Sequence, residues 1–118
     1  MSKLKILLNK KIKAVEFNLS STSGINNIDE DLVELYLLID FGDYFLSIFN
    51  NFSLAKNKEK NVKQLVGDIL LKVEENNDFI DFTFQSGEIL KINMTEEGYI
   101  GPEAMCLLGK DGLNVVWN

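Results

Sequence analysis

The residues of this chain that could do chemistry are almost all carboxylates. There is no histidine, so the side chain behind most acid–base and nucleophilic mechanisms, and a common zinc ligand, is missing. The single cysteine, Cys106, stands between Met105 and Leu107. It has no partner for an internal disulfide and no neighbouring base, and it reads as a small buried hydrophobe. Two acidic groups remain, Asp29, Glu30 and Asp31 with Glu34, and Asp78 with Asp81. Either could gather a hard cation, but neither follows the spacing of a twelve-residue calcium loop, and solvated faces are the commoner use of such residues. Gly98, Gly101 and Gly112 lack the strand–glycine–helix order of a phosphate-binding loop and read as turn residues. The sequence therefore points to no catalytic residue, no cofactor and no metal, and the expectation is a protein that is not an enzyme.

Binding is the remaining class of function. Tyr36, Tyr44, Tyr99 and Trp117 are of the types enriched at interface hot spots, although alternation along a strand makes the core the commoner place for Tyr36 and Trp117. Tyr99, beside Gly98 and close to Glu96 and Glu97, is expected to be exposed. The net charge is −6, and every basic residue is lysine. An acidic surface without arginine disfavours nucleic acid as a partner. Lys3, Lys5, Lys10, Lys11 and Lys13 make the start basic, whereas Glu74 to Glu103 is almost wholly acidic. Such a field suits a basic protein partner, because complementary potentials speed encounter.

The elements that must position these residues read as strands. From Ile69 to Ile92, three runs alternate apolar and polar residues, broken by Asn76-Asn77 and by Gln85-Ser86-Gly87. The first break suits a two-residue primed turn, the second a three-residue loop closed by a left-handed glycine. These loops predict Ile69, Leu71 and Val73 opposite Phe84, Phe82 and Ile80, and Phe82 and Ile80 opposite Leu90 and Ile92. They also set Asp81 between Lys72 and Lys91 in a cross-strand charge ladder. Before this meander, Lys3 to Leu19 reads as a strand or turn followed by a strand, with Asn9-Lys10 between. Leu32 to Phe41 and Tyr44 to Asn50 read as a hairpin. Its loop, Asp40-Phe41-Gly42, has glycine in third place, which predicts Val33, Leu35 and Leu37 opposite Phe49, Ser47 and Phe45. Both faces of that hairpin are apolar or aromatic, so it is either central in a layered fold or uses one face for a partner. Ala55 to Val66 reads as a connector with room for a short helix. Glu103 to Leu108 and Leu113 to Asn118 form a last hairpin around Lys110-Asp111-Gly112, with Leu107 opposite Val115 and Met105 opposite Trp117.

At 118 residues the chain reads as one β-rich domain with an internal repeat of roughly 4–50 and 62–94 and a C-terminal hairpin at 103–118. The expected fold is all-β and mainly antiparallel, a two-layer sandwich or half-open barrel of about seven or eight strands with at most one short helix. The repeat places Ser20 to Asp31 as an insertion, since its second copy has only a tight turn there, and insertions on a rigid scaffold are where recognition concentrates. No apolar run approaches the ~18 residues of a membrane span. Met1-Ser2-Lys3 begins no signal-peptide pattern, so the expectation is a cytoplasmic protein without membrane contact.

The passages LVGDILLKVEENNDFIDFTFQSGEILKI and EEGYIGPEAMCLLGKDGLNVVWN resemble those of small β-rich immunity proteins. Such proteins are encoded beside polymorphic or contact-dependent growth-inhibition toxins in bacteria. The resemblance covers about the last half of the chain and rests on the strand–turn pattern and on the Gly-Pro-Glu and Val-Val-Trp-Asn words. It implies a cytoplasmic monomer that forms a heterodimer with a cognate toxin domain, blocking its active site or substrate access without catalysis of its own. Many such toxins are basic nucleases; an RNase is the expected target. The expected contacts are Asp29, Glu30, Asp31 and Glu34, together with Asp43, Glu96 and Glu97, with Tyr44 or Tyr99 filling a pocket. Two other functions compete, a non-catalytic dimeric scaffold or regulatory module built on the two-faced hairpin, and a small-ligand-binding β-barrel.

Overall fold

The computed structural model describes residues 3–21, 33–56 and 62–118, with the backbone alone for 18–21 and 33–35. Its strands are β1 (Ala14–Ser21), β2 (Val33–Asp40), β3 (Tyr44–Ile48), β4 (Phe52–Leu54), β5 (Leu70–Glu75), β6 (Phe79–Phe84), β7 (Ile89–Asn93), β8 (Met105–Gly109) and β9 (Asn114–Trp117). They form two antiparallel sheets, one of five strands in the order β1-β2-β3-β8-β9 and one of four in the order β4-β7-β6-β5. The architecture is the all-β sandwich expected from the alternation. Helical structure among the described residues is limited to 3-10 turns at Lys3–Leu7, Val62–Leu65 and Glu96–Gly98, and no helix there is long and apolar enough to cross a membrane. One buried cluster joins the layers, with Leu37, Leu46, Ile48, Met105 and Leu107 from one sheet and Ile80, Phe82, Leu90 and Ile92 from the other.

The two sheets are tied by a short antiparallel seam just before β1 and β5. Lys11 and Ile69 form an isolated bridge. Around it the backbone bonds come in matched pairs: Asn9 N donates to Leu70 O as Gly67 N donates to Ile12 O, and Ile12 N donates to Asp68 O as Leu70 N donates to Lys10 O. A 3-10 turn precedes each side of the seam, burying Leu4 and Leu7 on one side and Val62 and Leu65 on the other. Each turn is followed by a left-handed residue, Asn9 at φ 67° and Gly67 at φ 88°. Asparagine and glycine are the two residues that adopt this conformation at least cost. Further along, the chain leaves β3 to place β4 beside β7, and leaves β7 to place β8 beside β3. Each half thus lends one strand to the other half's sheet.

The registers separate what turn chemistry fixes from what it leaves open. The loops at Gln85-Ser86-Gly87 and Lys110-Asp111-Gly112 are three residues long, with their third-place glycines at φ 92° and 93°. Phe82 faces Leu90, Ile80 faces Ile92, Asp81 faces Lys91, Leu107 faces Val115 and Met105 faces Trp117, all as expected. The β2–β3 hairpin differs. Phe41 N donates to Tyr44 O, so the loop is the two residues Gly42-Asp43, with Gly42 (φ 97°) in first place, as a II′ turn requires. Leu37 pairs with Ile48, Ile39 with Leu46, and Asp40 with Phe45. The shift is odd, so it exchanges the faces of β3: Leu46 and Ile48 point into the core, and Phe45, Ser47 and Phe49 point away.

The β5–β6 hairpin is also displaced. Asn76 takes no left-handed turn; its Oδ1 accepts the N–H groups of Asp78 and Phe79 at 2.9 and 2.8 Å, which moves the turn onto Asn77-Asp78. A bulge between Leu70 and Lys72 then sets Leu70 opposite Phe84 and Val73 opposite Phe82. Leu71, expected inside, is 48% exposed. Asp81 faces Glu74, not Lys72, and Lys72 instead pairs with Glu74 at 3.0 Å on a solvated surface. The charge ladder therefore keeps only its Asp81–Lys91 half.

Close packing at Gly98 supports a stability test. Its N–H donates to Thr95 O, and its carbonyl accepts Asn51 N–H from the β3–β4 crossover. A Cβ on Gly98 would overlap the Asn93 carbonyl oxygen and lie 2.7 Å from Asn93 Cβ. Nothing lies within 4 Å of a Cβ on Gly101. Gly98→Ala should lower unfolding free energy by about 1–3 kcal/mol, and Gly101→Ala should stay within about 0.5 kcal/mol. Chemical denaturation of both variants checks this; equal midpoints would show that the Gly98 contact carries no weight.

Candidate partner-binding surface

Of the residues expected to form a site, Asp29, Glu30 and Asp31 lie outside the described residues. Glu34 lies in β2, opposite Ser20, and its side chain is outside the description. Asp43 is exposed in the β2–β3 turn, where its carbonyl accepts Lys110 N–H. Tyr44 is half-buried and packs on the core, with the Lys10 ammonium 5.4 Å from its ring centroid. Glu96 and Glu97 are exposed on their 3-10 turn. Tyr99, expected at the surface, is half-buried against the core, and its N–H closes the preceding turn onto Glu96 O. Asp43 lies in the turn before β3 and Tyr44 begins that strand, whereas past its other end Asn51 N donates to Gly98 O of the Glu96–Gly98 turn. The length of β3, roughly 15 Å, thus separates the first pair from the Glu96–Tyr99 turn. Among the described residues, Asp43 and Tyr44 therefore lie apart from Glu96, Glu97 and Tyr99.

A different surface does converge. In the five-stranded sheet Leu37, Ile39, Leu46, Ile48, Met105 and Leu107 are buried, so the alternate residues face outward. The registers arrange them in rows. Glu16, Leu38, Ser47, Cys106 and Val116 cross all five strands, and Ala14, Asp40, Phe45, Leu108 and Asn114 form the next row. Beyond them the rings of Tyr36 and Phe49 meet at 6.1 Å. Leu108 and Val116 are each 42% exposed, while Tyr36, Leu38, Phe45 and Phe49 are half-buried. The outcome is an aromatic and aliphatic face with no layer over it among the described residues.

The charged residues within its five strands have one sign. Glu16, Glu34 and Asp40 are the only charged residues in the five strands, and none of the lysines lies in them. In the four-stranded sheet, by contrast, Lys72 and Lys91 are interspersed with Glu74, Glu75 and Asp81, and Lys91 lies 4.7 Å from the Phe79 ring centroid. Sequence reasoning found the two-sided hairpin but grouped Phe45 on one face with Leu37, whereas the observed register puts them on opposite faces. The signal that locates the surface is the repetition of apolar residues at both parities in β2, β3 and β8.

Cys106 belongs to this outward face, not to the core, and is half-buried there. Desolvation, and secondarily the Glu103 carboxylate, push its thiol up from the ordinary value of 9.0. A neutral thiol is a poor nucleophile. No group of three or more Cys, Asp or Glu among the described residues could hold a metal ion. Compared with protein-family models, curated proteins and solved structures, the chain matches none.

The shift at Cys106 has a definite sign. The unfolded thiol ionises first as pH rises, so the neutral folded thiol loses relative stability through the alkaline range and has no effect in acid. Alkylation of Cys106 by iodoacetamide, followed by mass spectrometry across pH, should have its rate midpoint above 9.0. A midpoint below that value would show an activated thiol.

Proposed function

We propose that this protein is an immunity protein, which binds a cognate basic toxin domain, a nuclease and by preference an RNase, and blocks its active site or its access to substrate. It acts by occupying a surface and carries out no reaction itself. The supporting observation is the outward face of the five-stranded sheet, where an aromatic and aliphatic centre is accompanied only by acidic strand residues. Apolar anchors supply affinity in a water-excluding centre, and an acidic surround steers a basic partner into contact. A nuclease active site is shaped for phosphates, so carboxylates can stand in for that charge. Resemblance of the meander and C-terminal hairpin to immunity proteins supports the same reading.

Self-association through this face is the competing use, and it would bring Glu16 and Asp40 of two copies towards one another. Like charges brought together at an interface oppose docking. A monomer by sedimentation is therefore expected for the isolated protein.

The direct test is to co-purify the protein with the product of the adjacent upstream gene and to assay that product for nuclease activity with and without it. Binding with loss of activity is expected. Binding without inhibition, or no binding, would refute an immunity role. Leu108→Asp, at an exposed position, should weaken the complex at least tenfold, or about 1.4 kcal/mol, without unfolding the protein. Unchanged affinity would move the interface off this face.

A further inference from the structure

Two sheets leave four strand edges, and among the described residues three of them are guarded. β1 has the Val62–Leu65 turn packed against it, with the Lys63 ammonium on Val15 O at 2.7 Å. β4 is three residues long and has Phe17 of β1 against its Phe52. β5 carries a bulge between Leu70 and Lys72 and three charged residues, Lys72, Glu74 and Glu75. Covering elements, very short strands, bulges and lysines are the devices that keep foreign strands off an edge. By contrast β9 is uncharged, runs in unbroken register with β8, and has no described strand on its other side. Gly109 N donates to Leu113 O, so the alternation of the ladder turns the N–H and C=O groups of Val115 and Trp117 towards β8 and those of Asn114 and Val116 away from it. Asn114 and Val116 thus present backbone donors and acceptors along the open edge.

We infer that β9 receives one strand of the bound partner, an extended segment without proline that hydrogen-bonds to Asn114 and Val116 and becomes the sixth strand of the sheet. Only an extended backbone offers donors and acceptors at the spacing of a strand edge. Val115 and Trp117 pack on the core yet remain half-buried, and apolar side chains of the incoming segment beside them complete that layer. Val116 ends the outward row that begins at Glu16, so the edge runs on from the apolar face proposed for toxin contact. A second copy does not fit as well. Two β9 strands side by side set the outward faces next to each other without covering either, and a pairing of four residues alone buries far less than the ~1,200 Å² of a stable interface. A partner that lends a strand and lies over the face uses both. The inference deepens the toxin-binding reading and rests on it for the source of the strand, but the edge can be tested without the toxin.

In the isolated, labelled full-length protein, amide exchange followed by NMR should be faster at Asn114 and Val116 than at Val115. The probe is the peptide acetyl-Lys-Thr-Val-Thr-Val-Thr-Lys-amide, with the same peptide methylated at its three central amides as the control, each titrated to its solubility limit. Shifts centred on Asn114 to Trp117 are expected with the unmethylated peptide alone. In the complex with the upstream gene product, Asn114 and Val116 should become protected from exchange. Val116→Pro removes an edge N–H while leaving the bonds to β8 in place. It should weaken that complex at least about tenfold more than Val116→Ala, which trims the same side chain and keeps the N–H. Should Val116→Pro lose its native spectrum, Asn114→Pro, at the start of the strand, serves with Asn114→Ala as its reference. Exchange at Asn114 and Val116 as slow as at Val115 in the isolated protein, equal shifts with the methylated peptide, no shifts, or equal losses in the proline and alanine variants would overturn the inference. So would a dimer that Val116→Pro returns to monomer, since a second copy would then fill the edge. If the upstream gene product is bound and inhibited equally by wild type and Val116→Pro, the edge is overturned and the immunity reading stands. If the peptide binds as expected but that product does not, the edge stands and the immunity reading falls.

Discussion

The backbone seam around Lys11 and Ile69 is the constraint on which the rest of the structure depends. Four hydrogen bonds between residues 9–12 and 67–70 join segments that lead into different sheets. Without them the starts of β1 and β5 would have no fixed relation, and the layers could slide. The seam requires two left-handed residues, and Asn9 and Gly67 provide them. It also requires buried anchors beneath it, provided by Leu4 and Leu7, Val62 and Leu65, and Ile12 and Leu70. Phe17 and Phe52, in edge-to-face contact at 5.5 Å, couple β1 of one layer to β4 of the other.

Given that frame, the sheets divide the chemistry of the surface. The four-stranded sheet mixes charges of both signs on its exposed residues, which suits a solvated face. The five-stranded sheet concentrates apolar area and excludes lysine. Edge strands commonly carry lysine or proline against unwanted pairing, but β9 has neither. The difference between the sheets cannot come from strand propensity, which Val, Ile, Phe and Tyr satisfy equally on either. It lies in the placement of lysine, present in two strands of one sheet and in none of the other.

Much of the fold was legible in the sequence wherever a turn allowed one geometry only. Gly87 and Gly112 close three-residue loops, and the pairs that follow from them are those observed. Gly42 was ambiguous, because glycine serves the first place of a two-residue loop as readily as the third place of a longer one. That choice decided which side of β3 shares a face with Leu37, and so whether Leu46 and Ile48 or Phe45 and Phe49 lie with it. At Asn76 a side-chain acceptor captured two backbone N–H groups, and at Leu71 a bulge absorbed one residue; neither leaves a mark in apolar alternation. The candidate site was legible only as a property of the hairpin, its two apolar faces. The acids selected with it, among them Asp43, Glu96 and Glu97, fall at opposite ends of β3, since charge along a sequence carries no information about which residues folding brings together.

The exchange of β4 and β8 between layers has a consequence for how the chain can be divided. Cut between the halves, the first segment would keep β1 to β3 and carry β4 with no β7 to pair it, and β3 would lack β8. In topological terms each half lends one strand to the other's sheet, with β9 added at one edge. The integrity of the fold therefore belongs to neither half, because each completes the other's sheet.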